Sequence, residues 1–558
     1  MRLKRKVPII TIAIFIIFML AISSMHIWTN LKLLKRRPSP DWSGEFTVGD
    51  YNTTYKRTII KEIDNDKFIL VYFTDEDSEK LNIAKVDKKL KVLDKYNVEL
   101  DGLSYHRIFS SEYYLKDKDF YWRDYKDNSL YKGSFNNNYK KLSNREKVFD
   151  NIKHFSFYEN GEETYLALAY TDGSVEVLKK EDAGFVKLDS PKNLKGIVKV
   201  GLEKFNDTIY LQAIENESRR SSDIKRIYVS EYKEKSWSNP ILMDEVMEVK
   251  AGLKDAQIGI DGNYVYNIST VEQNGVNTYI YNLSSYDKTT KELSTKKGIE
   301  RASEIGVDGF ADVPTLVSND GDLIVYTTGL TNLDKMSKRA NVIKLTLSGD
   351  DMKDVKLLSN TLRWSSNVSF IKTDNYKYVF WTDPMDIDDR TIFAASNDPE
   401  LVAKDEKIVF EDFKQALYLQ LPVIIYAVFN VFGVRFMSIL PALLLLVVLI
   451  IFNEKIEKRF WLVFILAAIV NTIVQINSMD FFYDGITYSY IPEFLKISYA
   501  EYIVPIAFTI LGIITSWILK KEKPLISIGV TYIIYLLISV IMLNFLYGQY
   551  VYMNSIFI

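Results

Sequence analysis

The chain has 558 residues, 47% hydrophobic and 25% charged, with no cysteine and three histidines, enough for two or three folding units with a large core. Residues 1–37 hold eight Lys/Arg and no Asp/Glu, 416–558 hold eight and seven, and 38–415 hold the remaining 54 and 65, a net charge of about −11. Disulfides, thiol catalysis, iron–sulfur clusters, cysteine-ligated zinc and lipidation at an N-terminal cysteine are excluded, and the acidic middle repels nucleic acid, whose phosphates dominate any binding energy.

Residues 8–29 are almost entirely apolar and follow a basic start, Met1 to Lys6. They are long enough for a helix to cross a hydrocarbon core of about 30 Å, so 1–37 reads as a signal anchor with a basic flank. A cleaved signal peptide is the competing reading, because Ala21 and Ser23 have the small-x-small spacing of a cleavage site. The basic stretch Lys32 to Arg37 leaves the local charge rule tied.

From 38 to 415 short β-branched and aromatic runs alternate with Asn/Asp/Gly turns, the pattern of an all-β domain. A polar turn precedes a strongly apolar strand seven times, at 68–73, 120–125, 165–170, 209–214, 264–269, 323–328 and 378–383. A spacing near 50 residues suits a four-stranded propeller blade with its loops. The first unit divides into strands at 58–64, 68–73, 81–87 and 88–93, and the last into 367–373, 378–383, 390–396 and 406–412. A β-sandwich or two stacked β domains is the alternative. Both faces of each apolar strand are expected to be covered, since the runs do not alternate with polar residues.

The repeats resemble β-propellers in general, without the WD or Kelch signatures. The stretch 228–245, with Ser236-Trp237, resembles the Asp-box hairpin of sialidase-like propellers, although Tyr232 and Glu234 stand near where its Asp and Gly belong. That resemblance implies an arginine cluster for a substrate carboxylate. Arginines at 219, 220, 226, 301, 339, 363 and 390 are available, but nothing groups three of them. Asp383, Asp386, Asp388 and Asp389 invite a calcium reading, as Asp75-Glu76-Asp77 and Asp350-Asp351 do more weakly, yet the spacing misses an EF-hand loop and a solvated acidic loop is expected. His26, His106 and His154 are scattered and read as surface or satisfied side chains. No catalytic, cofactor-binding or metal-binding residues are therefore assigned, and no cofactor is expected.

Residues 416–558 contain four apolar stretches of spanning length, 436–452, 460–477, 502–519 and 524–545. The loops carrying Lys455, Lys458 and Arg459, and Lys520, Lys521 and Lys523, read as cytoplasmic by the positive-inside rule. The segment 416–434, interrupted by Gln420, Pro422 and Asn430, decides the side of the large domain. If it lies in the interface, 38–415 is extracytoplasmic, which is the expectation. Asn471 and Gln475 share a helix face and are expected to bond a neighbouring helix. The aromatic loop 478–501 reads as an interfacial belt, with sugar stacking as the alternative.

The fold expected is an all-β seven-bladed β-propeller-like domain (38–415) between an N-terminal anchor (1–37) and an α-helical, multi-span transmembrane domain (416–558). The expected function is that of a cell-membrane protein displaying its propeller for ligand binding, sensing or scaffolding. A membrane-anchored, sialidase-like glycan hydrolase and a transporter-associated subunit are the alternatives. The expected partners are membrane lipids and a protein or glycan ligand, with no nucleic acid.

Overall fold

The computed structural model describes residues 6–34 and 38–556, apart chiefly from 50–56, 75–79, 100–112, 300–306, 332–338, 385–389, most of 421–435, 453–456, 484–490 and shorter stretches of one to four residues. The chain divides into two compact units. One is built from Arg37–Asn332 and Lys338–Asp405, the other mainly from Met1–Arg36 and Glu406–Ile558.

The first unit is all antiparallel β. Each of the seven apolar runs is a strand, from Lys67–Tyr72 and Asp119–Asp124 to Leu323–Thr331 and Lys377–Pro384. Each is the second strand of a local meander. The first meander pairs Ile59–Ile63, Lys67–Tyr72, Lys80–Asp87 and Val92–Glu99 in sequence order. Its fourth strand is not at 88–93 as expected, because Leu90 takes a positive φ of 58° in the turn that precedes Val92. The next sheets start at Tyr113, Ile152 and Ile197, while a nine-stranded sheet joins the meanders starting at Ala251 and Thr315 through the short strand Val307–Phe310.

The last sheet departs from the sequence reading in an instructive way. Residues 399–405 are helical, and the strand completing Ser366–Lys372, Lys377–Pro384 and Arg390–Ser396 is Phe46–Thr47. The chain's early residues thus supply the outer strand of its latest sheet.

Because side chains alternate across a strand, each second strand feeds two different cores. Phe68, Leu70 and Tyr72 pack with Tyr378, Phe380 and Ile392, whereas Ile69, Val71 and Phe73 pack with Leu115, Phe120 and Trp122. The same division recurs at Leu166 and Leu168 against Tyr165 and Ala167, and at Tyr326 against Val325. Every sheet is therefore covered on both faces by its neighbours, and the sequence of shared cores returns to its start.

The second unit is helical. It contains Lys6–Leu34, Phe436–Ile451, Phe460–Asn477, Ala500–Glu522 and a long helix from Ile528 to Ile556 that includes a π-helical turn at Leu537–Ile541. Among the described residues three helices are long and apolar enough to cross a membrane: Phe460–Asn477, Ala500–Lys521 and Ile528–Gly548. Phe436–Ile451, expected as a further span, is a helix of 16 residues. Gly512 lets Tyr535 approach to a distance a Cβ would block. Asn471 donates to the Tyr535 hydroxyl at 3.0 Å, which in turn donates to the Ala468 carbonyl, so Asn471 serves helix packing as expected. Gln475 is buried with neither polar atom partnered. In the aromatic loop Phe482 is fully buried and stacks on Tyr547, whereas Tyr499 is exposed. Most of 416–434 lies outside the described residues.

Candidate functional site: a polar cavity among the first strands

The first strands of successive sheets line a cavity of about 670 Å³. Its polar lining includes Arg57 and Lys61, His154, Lys199 and Glu203, Asp255 and Gln257, Asp312 and Asn367. Tyr113, Tyr114, Phe157 and Tyr279 add aromatic walls, with Tyr114 stacked on Phe157 at 4.6 Å.

One local device recurs around this cavity. In three consecutive sheets the pairing slips by one residue just before the lining side chain, between Ile152 and His154, Ile197 and Lys199, and Leu253 and Asp255. A β-bulge kinks its strand and re-aims the side chain that follows. A further slip, between Ser366 and Ser369, brackets Asn367, whose φ is +56°. The bulges convert a sheet edge into inward-facing polar groups at one level.

These groups are wired across sheets. The Val200 backbone N–H donates to His154 Nδ1 at 3.4 Å, and Lys199 is ion-paired with Asp255. Asp255 also accepts from the Ala256 N–H at 2.7 Å and from Gln257 at 2.9 Å. Lys61 pairs with Glu159, which accepts from the Tyr114 hydroxyl at 2.8 Å. Arg57 donates to the Val368 carbonyl at 2.6 Å, the Tyr113 hydroxyl donates to the Arg57 carbonyl, and the Asn367 N–H donates to Asp312.

The acidities follow from enclosure. Burial, reinforced by the charges of Lys199 and Arg123, holds His154 well below the ordinary imidazole range, so the ring is neutral. Since Nδ1 accepts from Val200, the ring proton sits on Nε2, and that buried atom has no partner. Burial pushes the Glu203 carboxyl up to about 7, opposed by a hydrogen bond from Ser318. Asp312 is likewise raised by burial, with Arg57 acting against the shift. The cavity therefore presents fixed donors, acceptors and one carboxyl that changes protonation near neutrality, between aromatic walls.

The residues singled out from the sequence are distributed differently. His154, expected as a surface or satisfied side chain, is buried and lines the cavity with one unpartnered nitrogen. His26 is buried in the helical unit, its Nε2 at 3.1 Å from the Phe545 carbonyl, and His106 lies outside the described residues. Arg219, Arg220, Arg301 and Arg363 also lie outside them. Arg226 forms ion pairs with Glu217 and Glu245, Arg390 donates to Ser366 Oγ at 3.1 Å, and Arg339 is buried beside Thr331; none of the three is among the cavity residues. The cavity's own arginine, Arg57, was not among those singled out. The 228–245 hairpin is real, with Glu234 and Lys235 both at positive φ in a two-residue turn. Its Trp237, however, is buried in a core and donates to the Asp189 carbonyl at 2.5 Å. Asp383 is a buried strand residue, whereas Asp386, Asp388 and Asp389, with Asp75 to Asp77, lie outside the described residues. Among the described residues no three His, Cys, Asp or Glu side chains converge as a metal site.

No protein-family model and no curated protein matches the chain. Among solved structures it is similar to an ulvan lyase of polysaccharide lyase family 25 in complex with -[GlcA(1-4)Rha3S]-, at 11% identity and a TM-score of 0.43, over 66% of this chain and 98% of that one. The polysaccharide lyase Uly1 gives 10% identity and 0.41 over 61% and 89%. An endo-arabinanase of glycoside hydrolase family 43 from Bacillus licheniformis gives 13% and 0.25 over 44% and 93%.

Proposed function

We propose that the chain is a membrane-anchored, seven-bladed β-propeller that faces the outside of the cell and binds a glycan in its central cavity. The blade count follows if the nine-stranded sheet is divided at Val307–Phe310 into two blades, with Phe46–Thr47 closing the last. The outward orientation rests on the two basic loops, around Lys458 and Lys521, being cytoplasmic, on Phe436–Ile451 crossing and on 416–434 lying in the interface, with residues 8–29 as a signal anchor.

The observation that carries the ligand reading is the polar lining of the cavity, which includes buried His154 at a β-bulge. Beside it stand Lys199, Asp255, Glu203 and Arg57, a mixture of donors and acceptors with aromatic walls that matches a hydroxyl-rich ligand.

A second reading, hydrolysis of the bound glycan, is favoured by Glu203. Its carboxyl retains a proton near neutral pH in the same cavity as the carboxyl of Asp255, and a proton-holding carboxyl with a second carboxyl group nearby is what acid–base cleavage of a glycosidic bond needs.

The test is a glycan microarray probed with the detergent-solubilised full chain. Retention of a defined glycan class, reduced at least about tenfold by His154→Ala or Lys199→Ala, is expected; a tenfold loss corresponds to about 1.4 kcal/mol. Wild-type protein that retains no glycan, or retention indifferent to both substitutions, removes the proposal. A fluorogenic glycoside panel separates the readings: turnover abolished by Glu203→Gln supports hydrolysis, and capture without turnover supports binding.

A further inference from the structure

The helical unit carries an apolar groove of about 350 Å³ between Phe460–Asn477 and Ala500–Glu522, lined by Trp461, Ile465, Ile513, Ile514 and Trp517. Trp461 and Ile465, like Ile513 and Trp517, are four residues apart, so each helix contributes two successive turns of one face. Ile465, Ile514 and Trp517 are exposed despite their size. In water such a surface is costly, whereas in a bilayer it is a natural seat for a hydrocarbon chain.

One end of this groove is strongly basic. Arg459 and Lys458 precede the first helix and are exposed. Lys521 lies over the Trp517 ring at 5.3 Å, and Lys520 over the Phe460 ring at 4.2 Å. In sequence, 453–459 and 520–523 together hold six Lys/Arg against three Glu. Lys520 already donates to the Ile526 carbonyl at 2.7 Å, which leaves the exposed Lys458, Arg459 and Lys521 as the cations best placed for an outside anion.

The geometry points to a binding site for one anionic phospholipid of the leaflet at the basic end, its acyl chain in the Trp461–Trp517 groove and its phosphate between Arg459 and Lys521. The guanidinium offers a forked pair of donors to phosphate and the ammonium a mobile point charge. The tryptophans flank the chain near the headgroup, the depth such rings prefer. This inference rests on the membrane anchoring proposed above and is independent of the ligand in the cavity.

The experiment uses the full chain in mild detergent with equal amounts of dioleoylphosphatidylglycerol and dioleoylphosphatidylcholine, retained lipid being counted by native mass spectrometry. Phosphatidylglycerol is expected in excess. Each of Arg459→Gln and Lys521→Gln, both at exposed positions, lowers that excess about fivefold, the effect of one basic residue at an anionic surface. Ile513→Trp, which fills the groove, lowers retention of both lipids. Equal retention of the two lipids by the wild type overturns the site, as does an excess that survives the double charge substitution or a groove variant without effect. Carbonate extraction of membranes keeps the two ideas apart. A chain released by carbonate ends the membrane reading itself, while one that resists carbonate yet ignores the headgroup ends only the lipid site.

Discussion

Phe46 is paired antiparallel with Ala394, so the all-β unit is closed by a strand that enters the chain before any of its sheets is complete. Flanking bonds extend the seam: the Ser43 N–H donates to the Ser396 carbonyl at 2.9 Å and the Val48 N–H to the Ile392 carbonyl at 2.9 Å. Closure removes the exposed edge that would otherwise template pairing with another chain. Gly49 sits at the end of this seam, where a Cβ would meet the Ile392 side chain at 2.7 Å. Gly49→Val is expected to destabilise the unit by about 1–3 kcal/mol through overpacking, seen as a lower thermal midpoint of the solubilised chain. Gly252→Ala, where a Cβ meets nothing within 4 Å, is the control and should leave the midpoint in place.

Coverage on both faces makes a sharp prediction for adjacent residues. Leu70 and Val71 are both fully buried, in different cores, and Ile324 and Val325 are buried in two others, at 9% and 0% exposure. An unpaired buried carboxylate costs several kcal/mol, a large part of a typical stability of about 5–15. Leu70→Asp and Val71→Asp should each abolish folded expression, as should Ile324→Asp and Val325→Asp. Normal yield from one member of either pair would mean that its face is not buried in the folded protein.

The repeat was readable because the apolar runs at 68–73, 323–328 and 378–383 lack alternation, the mark of strands covered twice. The terminal exchange was not, since two residues, Phe46 and Thr47, carry no periodicity, while 406–412 looks like a strand in isolation. The cavity was hidden for a different reason. His154, Lys199 and Asp255 are ordinary polar residues in sequence, and only the bulge before each brings them to one level. A faint signal exists in the shared apolar-x-polar spacing of Ile152 and His154, Ile197 and Lys199, and Leu253 and Asp255. The seven arginines available in the sequence did not include Arg57, and Arg226 among them is half-buried in ion pairs outside the cavity.

Chelation should not move the thermal midpoint. Asp350 accepts from Ser285 Oγ at 2.6 Å, a placement that needs no cation, and the spacing from Asp383 to Asp389 misses an EF-hand loop. An ion bound at a hundredfold excess over its Kd would add about 2.7 kcal/mol. A fall of several degrees in EDTA, restored by calcium, would show instead that an acidic loop holds a structural ion.

Glu203 and His154 give the β unit two opposed pH dependences. The folded Glu203 carboxyl titrates at about 7, above its ordinary 4.5. Between those values the folded state binds more protons than the unfolded one, so stability falls as pH rises through the window, by at most about 3 kcal/mol above it. His154 is depressed below its ordinary 6.5. Its contribution is complete above that pH and is lost on acidification, because the unfolded ring takes a proton the folded ring refuses. Glu203→Gln should therefore raise the thermal midpoint at pH 8 and leave it unchanged at pH 4, where the wild-type carboxyl is already neutral. His154→Gln, which cannot take up a proton in either state, should flatten the loss between pH 6.5 and 5. A Glu203→Gln profile that parallels the wild type at every pH would place that carboxyl in water and remove it as the cavity's proton-holding group.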